Sequence, residues 1–209
     1  MQDSTASIAP RPAPGRGRAA RLPLLAALLA LALLPALAGC GGSEPAASPP
    51  PDYEQKLADA PAPLAALYSR GNELVKGGKD AFEAQLGELE GFPAVVNVWA
   101  SWCGPCRAEF PDFQELSAEL GTRVAFLGVN SEDEDDLARS FLEDFPVPYP
   151  SFSDNDREIA RSLGNAKALP ATAFFDAQGN QTYLKQGQYP DRESLEADIR
   201  TYAIAGQPG

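Results

Sequence analysis

Apolar positions along this chain follow two different periods, and the switches between them predict its elements. Residues 22–37 are almost continuously apolar, rich in Leu and Ala and broken by Pro23 and Pro35. Farther on, Leu64, Leu67, Tyr68, Leu74 and Val75 recur at helical spacing, with Gly77-Gly78 as a stop. Asp80 is placed to cap a helix carrying Phe82, Leu86 and Leu89. The run Pro93-Ala94-Val95-Val96-Asn97-Val98-Trp99 reads as a buried strand, and residues 109–120 continue as a helix. A strand is expected over 123–129, then an acidic amphipathic helix over 133–145 with Leu137, Phe141 and Leu142 facing inward. Three prolines make 146–152 a loop with at most a short extended piece, and 157–163 is a brief helix ended by Gly164. Residues 171–175 and 181–186 read as a hairpin around the turn Asp176-Ala177-Gln178-Gly179-Asn180. Residues 191–202 close the chain as a helix with Leu195 and Ile199 inside. Strands alternating with helices and finished by a hairpin predict an α/β fold, a mixed sheet covered on both faces.

The early apolar stretch belongs to a different kind of segment. Arg11, Arg16, Arg18 and Arg21 precede it, and Leu37-Ala38-Gly39-Cys40 ends it. A charged start, a short apolar middle and small residues at the cut describe a secretory signal over 1–39. A membrane-spanning anchor fits less well, because the stretch is short and holds two prolines. The ending resembles a bacterial lipobox, which implies that Cys40 is lipid-modified and becomes the first mature residue; a plain cleaved signal is the alternative. Residues 40–51, with their Gly, Ser and Pro, read as a tether. Residues 52–79 then form an N-terminal helical extension, and 80–205 the main domain.

Charge narrows the partners. The chain carries 17 Lys+Arg against 29 Asp+Glu, a net of −12. Setting aside the four arginines and Asp3 that precede Cys40 leaves 13 basic and 28 acidic residues, a net of −15. Such a surface repels nucleic acid and anionic headgroups, so membrane association is expected to come from acyl chains. With no histidine, Ser-His-Asp and Cys-His nucleophile pairs are excluded, as are histidine-ligated metals. The acidic run 132–136 lacks the glycine of an EF-hand and is read as carboxylates at the positive end of a helix dipole.

The chemistry concentrates in Trp99-Ala100-Ser101-Trp102-Cys103-Gly104-Pro105-Cys106. Cys103 falls at a helix start, where the dipole and free N–H groups favour a thiolate, the reacting form of cysteine. A structural zinc site wants four Cys or His ligands, which the chain does not supply. A purely structural bridge over two intervening residues closes too little chain to stabilise much. The pair is therefore read as a redox dithiol.

On these residues the chain resembles thioredoxin-fold thiol–disulfide oxidoreductases, and most nearly their membrane-tethered TlpA and ResA branch. The resemblance covers about residues 80–202. It extends through Arg107-Ala108-Glu109-Phe110-Pro111, Asn130-Ser131, Leu169-Pro170-Ala171-Thr172 and Phe175-Asp176-x-x-Gly179. It implies a thioredoxin-like fold with Cys103 as nucleophile and Cys106 as resolving thiol. It further implies Glu109 as the acid that tunes the thiols or takes the resolving proton, and Pro170 as a cis-proline opposite the dithiol. Trp102, Gly104, Pro105 and Leu169 would contact substrate, while Trp99 packs in the core. Two departures stand out: Asn97 replaces the buried Asp of cytoplasmic thioredoxins, as is common in the tethered branch, and residues 165–169 are looser than the family's usual valine-x-glycine.

Gly-Pro between the cysteines favours a low potential, near about −270 mV by analogy with thioredoxin, and hence a reductase. The resemblance associates such reductases with cytochrome c maturation or general protein disulfide reduction. The expected partners are a protein disulfide and a membrane thiol electron donor, with the lipid anchor holding the domain at an extracytoplasmic membrane face; no cofactor is expected. A disulfide oxidase or isomerase remains an alternative. So does a copper(I) carrier liganded by the two thiols, although no Met or His is positioned to help.

Overall fold

The computed structural model describes residues 49–209. The predicted signal and Cys40 lie outside the described residues, as does the tether up to residue 48. Within the described region, α1 (Tyr53–Lys56) and α2 (Ala62–Tyr68) precede a two-residue strand β1 (Leu74–Val75) and α3 (Gly78–Glu88). The central run is β2 (Ala94–Trp99), α4 (Gly104–Leu120), β3 (Ala125–Ser131), α5 (Asp135–Asp144) and β4 (Ser151–Asp154). It is followed by α6 (Glu158–Ser162), β5 (Ala171–Phe175), β6 (Gln181–Gln186), α7 (Arg192–Asp198) and a π-helical turn, Ile199–Ile204. None of the described helices is long and apolar enough to cross a membrane.

The sheet order is β1-β4-β3-β2-β5-β6. Pairing is parallel from β1 to β2 and antiparallel from β2 through β5 to β6, so the sheet is mixed as expected. Because strand side chains alternate between faces, β2 feeds two cores. Val95 and Trp99 point into one, with Phe110 and Phe113 of α4, Phe141 and Leu142 of α5, and Leu195 and Ile199. Ala94, Val96 and Val98 point into the other, with Leu64, Leu67, Phe82, Ile159 and Ala160 from α2, α3 and α6. Helices thus cover both faces. Asn97 shares the Val95–Trp99 side and comes to lie under α4.

Five local expectations need correction. Leu74 and Val75 do not extend a helix; they pair with Ser151 and Phe152 as an edge strand, because burial against β4 outweighs the helical spacing. Asp80 is not the cap of α3, which begins after Gly77 (φ +112°), and Asp80 sits in its first turn. Leu137 is 55% exposed, while Ala138, Phe141 and Leu142 form the buried face of α5. That helix starts only at Asp135, so Asp133 lies before it. The predicted 191–202 helix is regular only to Asp198, with Asp191 capping it by accepting from the Ser194 N–H at 2.8 Å.

Trp99 fixes the C-terminal end of β2. Its ring meets Phe110 edge-on at 5.3 Å between centroids and Phe141 at 4.8 Å, and its Nε1–H donates to Ser151 Oγ at 3.2 Å. Both the aromatic packing and the satisfied indole N–H lock the strand end that leads into the dithiol.

Candidate active site

Cys103 is the N-cap of α4, in extended backbone, and its Sγ accepts the Cys106 N–H at 3.2 Å. Gly104 and Pro105 are the first two helical positions, where a missing N–H costs nothing because no intrahelical partner exists there. The two cysteines form a disulfide, with Cα atoms 5.3 Å apart. Both are buried, Cys106 fully and Cys103 slightly less. Nothing lies within 4 Å of where a Gly104 side chain would project, so the chain is open to solvent at that residue. In the reduced protein, the same N–H and the helix dipole face the Cys103 sulfur and favour its thiolate.

Glu109 lies one helical turn beyond Cys106, on the same face of α4. Only 1% of it is exposed. Its Oε1 accepts from Asn97 Nδ2 at 3.0 Å and its Oε2 from the Tyr189 backbone N–H at 3.2 Å. Burial pushes its carboxyl up to about 7, against the opposing pull of those two donors. Glu109 is therefore not a solvated helix carboxylate, and its partner on β2 is Asn97. Sequence offered no sign of Tyr189, whose contribution is a backbone N–H brought from 80 residues away.

The Leu169–Pro170 bond is cis. Val98 pairs with Ala171, so the buried Pro170 arrives beside the end of β2 that leads to Cys103. Leu169 packs against the cluster holding both cysteines, and the Pro170 carbonyl accepts from Gly187 N–H at 2.8 Å. Trp102 is 61% exposed, yet its indole Nε1–H donates to the Glu132 carbonyl at 2.9 Å, so the exposed ring is held in place.

One residue of the site was misread. Asp133, taken above as a helix-start carboxylate, is buried and points instead at the active-site turn. Its Oδ2 accepts from the Ser101 N–H (2.5 Å) and Asn130 Nδ2 (2.8 Å). Its Oδ1 accepts from Ser101 Oγ (2.8 Å) and the Glu134 N–H (2.9 Å). Four donors saturate the carboxylate and tie the residue two before Cys103 to the end of β3. The only hint in the sequence was an acidic residue three after Asn130.

The family model described as Redoxin matches residues 57–199. The chain belongs to the Redoxin family. Within it the chain is similar to the DsbE and ResA thiol–disulfide oxidoreductases. It is 33% identical over 144 residues to the thiol:disulfide interchange protein DsbE of Escherichia coli (strain K12), covering 68% of this chain and 72% of that one. It is 41% identical over 93 residues to DsbE of Pseudomonas fluorescens biotype C, covering 44% and 50%. With the thiol-disulfide oxidoreductase ResA of Oceanobacillus iheyensis it shares 30% over 109 residues, covering 52% and 56%. The matches thus span about half the length of the latter two relatives. Among solved structures, a DsbE-type protein from Chlorobium tepidum superposes with a TM-score of 0.51 at 29% identity, over 55% of this chain and 82% of that one. These Redoxin-family likenesses agree with the thioredoxin-like fold expected from the sequence.

Proposed function

We propose that this protein is an extracytoplasmic disulfide reductase, tethered through a lipid on Cys40, that works through the Cys103–Cys106 pair. The reading rests chiefly on one observation: Cys103 Sγ caps α4 while a protonatable, buried carboxyl, Glu109, stands one turn past Cys106. The Cys103 thiolate attacks one sulfur of a substrate disulfide, forming a mixed disulfide and expelling the other substrate sulfur as a thiolate. Cys106 gives its proton to the Glu109 carboxylate and attacks Cys103 Sγ, which releases the second substrate thiolate. The substrate gains two electrons, and the protein is left as the Cys103–Cys106 disulfide. A membrane dithiol donor then returns two electrons, the Glu109 proton goes back to Cys106, and the donor's two protons balance the two substrate thiolates released.

Trp102, Gly104 and Pro105 form the contact surface around the nucleophile. Leu169 is the natural edge for an extended substrate: among the described residues its N–H and C=O make no hydrogen bond, leaving them free for a short strand addition. The resemblance to the tethered branch favours protein substrates of the cell envelope, with apocytochrome c among them. The deciding experiment is the reduction potential of a soluble form beginning at Ser43, followed by tryptophan fluorescence in thiol–disulfide buffers. A value at or below about −250 mV is expected; one near about −120 mV would make the protein an oxidant and overturn the reading.

A further inference from the structure

Two walls flank the dithiol: the Trp102 side, carried by the β3–α5 loop, and the Leu169–Pro170 side, carried by the segment after α6. Arg157 touches both. Its Nη1 lies 3.4 Å from Glu132 Oε2, and its Nη2 donates to the Ala166 carbonyl at 2.5 Å. Glu132 is the residue whose own carbonyl holds the Trp102 indole at 2.9 Å. Ala166 is buried and leads through Lys167 and Ala168 to Leu169. A continuous chain therefore runs from Trp102 through Glu132, Arg157 and Ala166 to the proline wall.

Backbone geometry marks the same path independently. Among the described residues, four that are not glycine have positive φ in the left-handed region, and three of them are Glu132 (+56°), Arg157 (+59°) and Asn165 (+60°). Such conformations are unfavourable for Glu and Arg, though tolerated by Asn, and persist there where surrounding contacts impose them. The arms share one support as well, since the backbone N–H groups of Glu132 and Arg157 both donate to the Asp154 carbonyl, at 3.4 and 3.0 Å. Asp154 is anchored in turn, its carboxylate accepting from the N–H groups of Ile159 and Ala160, both at 2.9 Å. Among the described residues, Arg157 Nε is buried and makes no hydrogen bond.

We propose that Arg157 is a positioning residue that couples the Trp102 wall to the Leu169–Pro170 wall and so sets the width of the cleft presented to a protein disulfide. A planar guanidinium can bridge a carboxylate and a carbonyl at once, whereas an ammonium acts as a single point. The coupling matters for a polypeptide that must touch both walls and little for a small disulfide that reaches Cys103 alone. This inference rests on the proposed thiol–disulfide exchange at Cys103.

The test compares full-length wild type with Arg157→Lys, Glu132→Gln and the double variant. Each is assayed with a protein disulfide and with bis(2-hydroxyethyl) disulfide, and the exchange rate of the Trp102 indole N–H is followed by NMR. For Arg157→Lys, KM for the protein disulfide is expected to rise about three- to tenfold, the scale of one weakened charge-assisted hydrogen bond. The rate with the small disulfide should fall distinctly less and the reduction potential should stay at the wild-type value. Indole exchange should accelerate although Arg157 does not touch Trp102, and the double variant should be little worse than Arg157→Lys alone, because both changes break one link. Equal losses with both substrates, or unchanged indole exchange, would overturn the proposal. Should Arg157→Lys not fold, Glu132→Gln carries the same readouts. If wild type reduces neither disulfide, the reductase reading itself has failed, and indole exchange still decides whether the link exists.

Discussion

At the scale of single residues, Glu109 and Asp133 show how one side-chain type serves opposite ends. The Glu109 carboxyl is raised by burial from an ordinary 4.5 to about 7. The folded protein therefore keeps this proton in a range where the unfolded chain has lost it. Its contribution is fully present below about pH 4.5 and is lost as pH rises to about 7, a change of about 3 kcal/mol. Urea denaturation of the oxidised protein at pH 5 and pH 8 should show that decline, and Glu109→Gln should flatten it. In the proposed mechanism the same variant slows resolution of the mixed disulfide by about a hundredfold, the low end of what a positioned proton acceptor supplies, as trapping of the intermediate would show. Asp133 instead uses its charge to gather four donors around Ser101. Asp133→Asn cannot accept all four. It should loosen the turn that aims Cys103 at the Cys106 N–H, raising the thiol pKa and slowing alkylation at pH 7 about threefold. Asp136→Asn, on the exposed side of the next turn, serves as the control that should leave alkylation unchanged. The Cys103–Cys106 pair was legible because its chemistry is tied to a short contiguous motif. Asp133 was not, because an acidic residue near a helix start has a local explanation that hides a distant partner.

Elements were legible where burial and period agree. β2, β5, the hairpin turn and the core faces of α4 and α7 fall where apolar spacing puts them. β1 was missed because two residues are too few to show a period, and only β4 makes them a strand. Leu137 was placed inside although it is exposed, because the buried face of α5 centres on Ala138, Phe141 and Leu142 and at 100° per residue Leu137 falls at its edge. Packing between elements is tightest at Gly128 in β3. A methyl there would run into Ser151 Oγ and come within 3.0 Å of Trp99 Nε1, the two atoms that are hydrogen-bonded to each other. Gly128→Ala should therefore cost about 1–3 kcal/mol by overpacking, lowering Tm by a few degrees per kcal/mol in a thermal melt.

For the whole molecule, charge acts at a distance. From Cys40 onward the chain carries a net of −15, so encounter with a basic protein disulfide should be steered and encounter with an acidic one opposed. Raising salt from 20 to about 300 mM should lower kcat/KM for the basic substrate and raise it for the acidic one, measured by stopped-flow fluorescence. The sequence by itself determined the α/β class, the redox dithiol at a helix mouth and the exclusion of histidine chemistry, since each depends on residue type and near-neighbour spacing. Only the tertiary structure decided that Glu109 is buried against Asn97 and Tyr189, that Asp133 grips Ser101, and that Arg157 joins the two walls of the cleft. Those contacts link residues from 9 to 80 positions apart, and several run through backbone carbonyls and N–H groups that every sequence possesses and none displays.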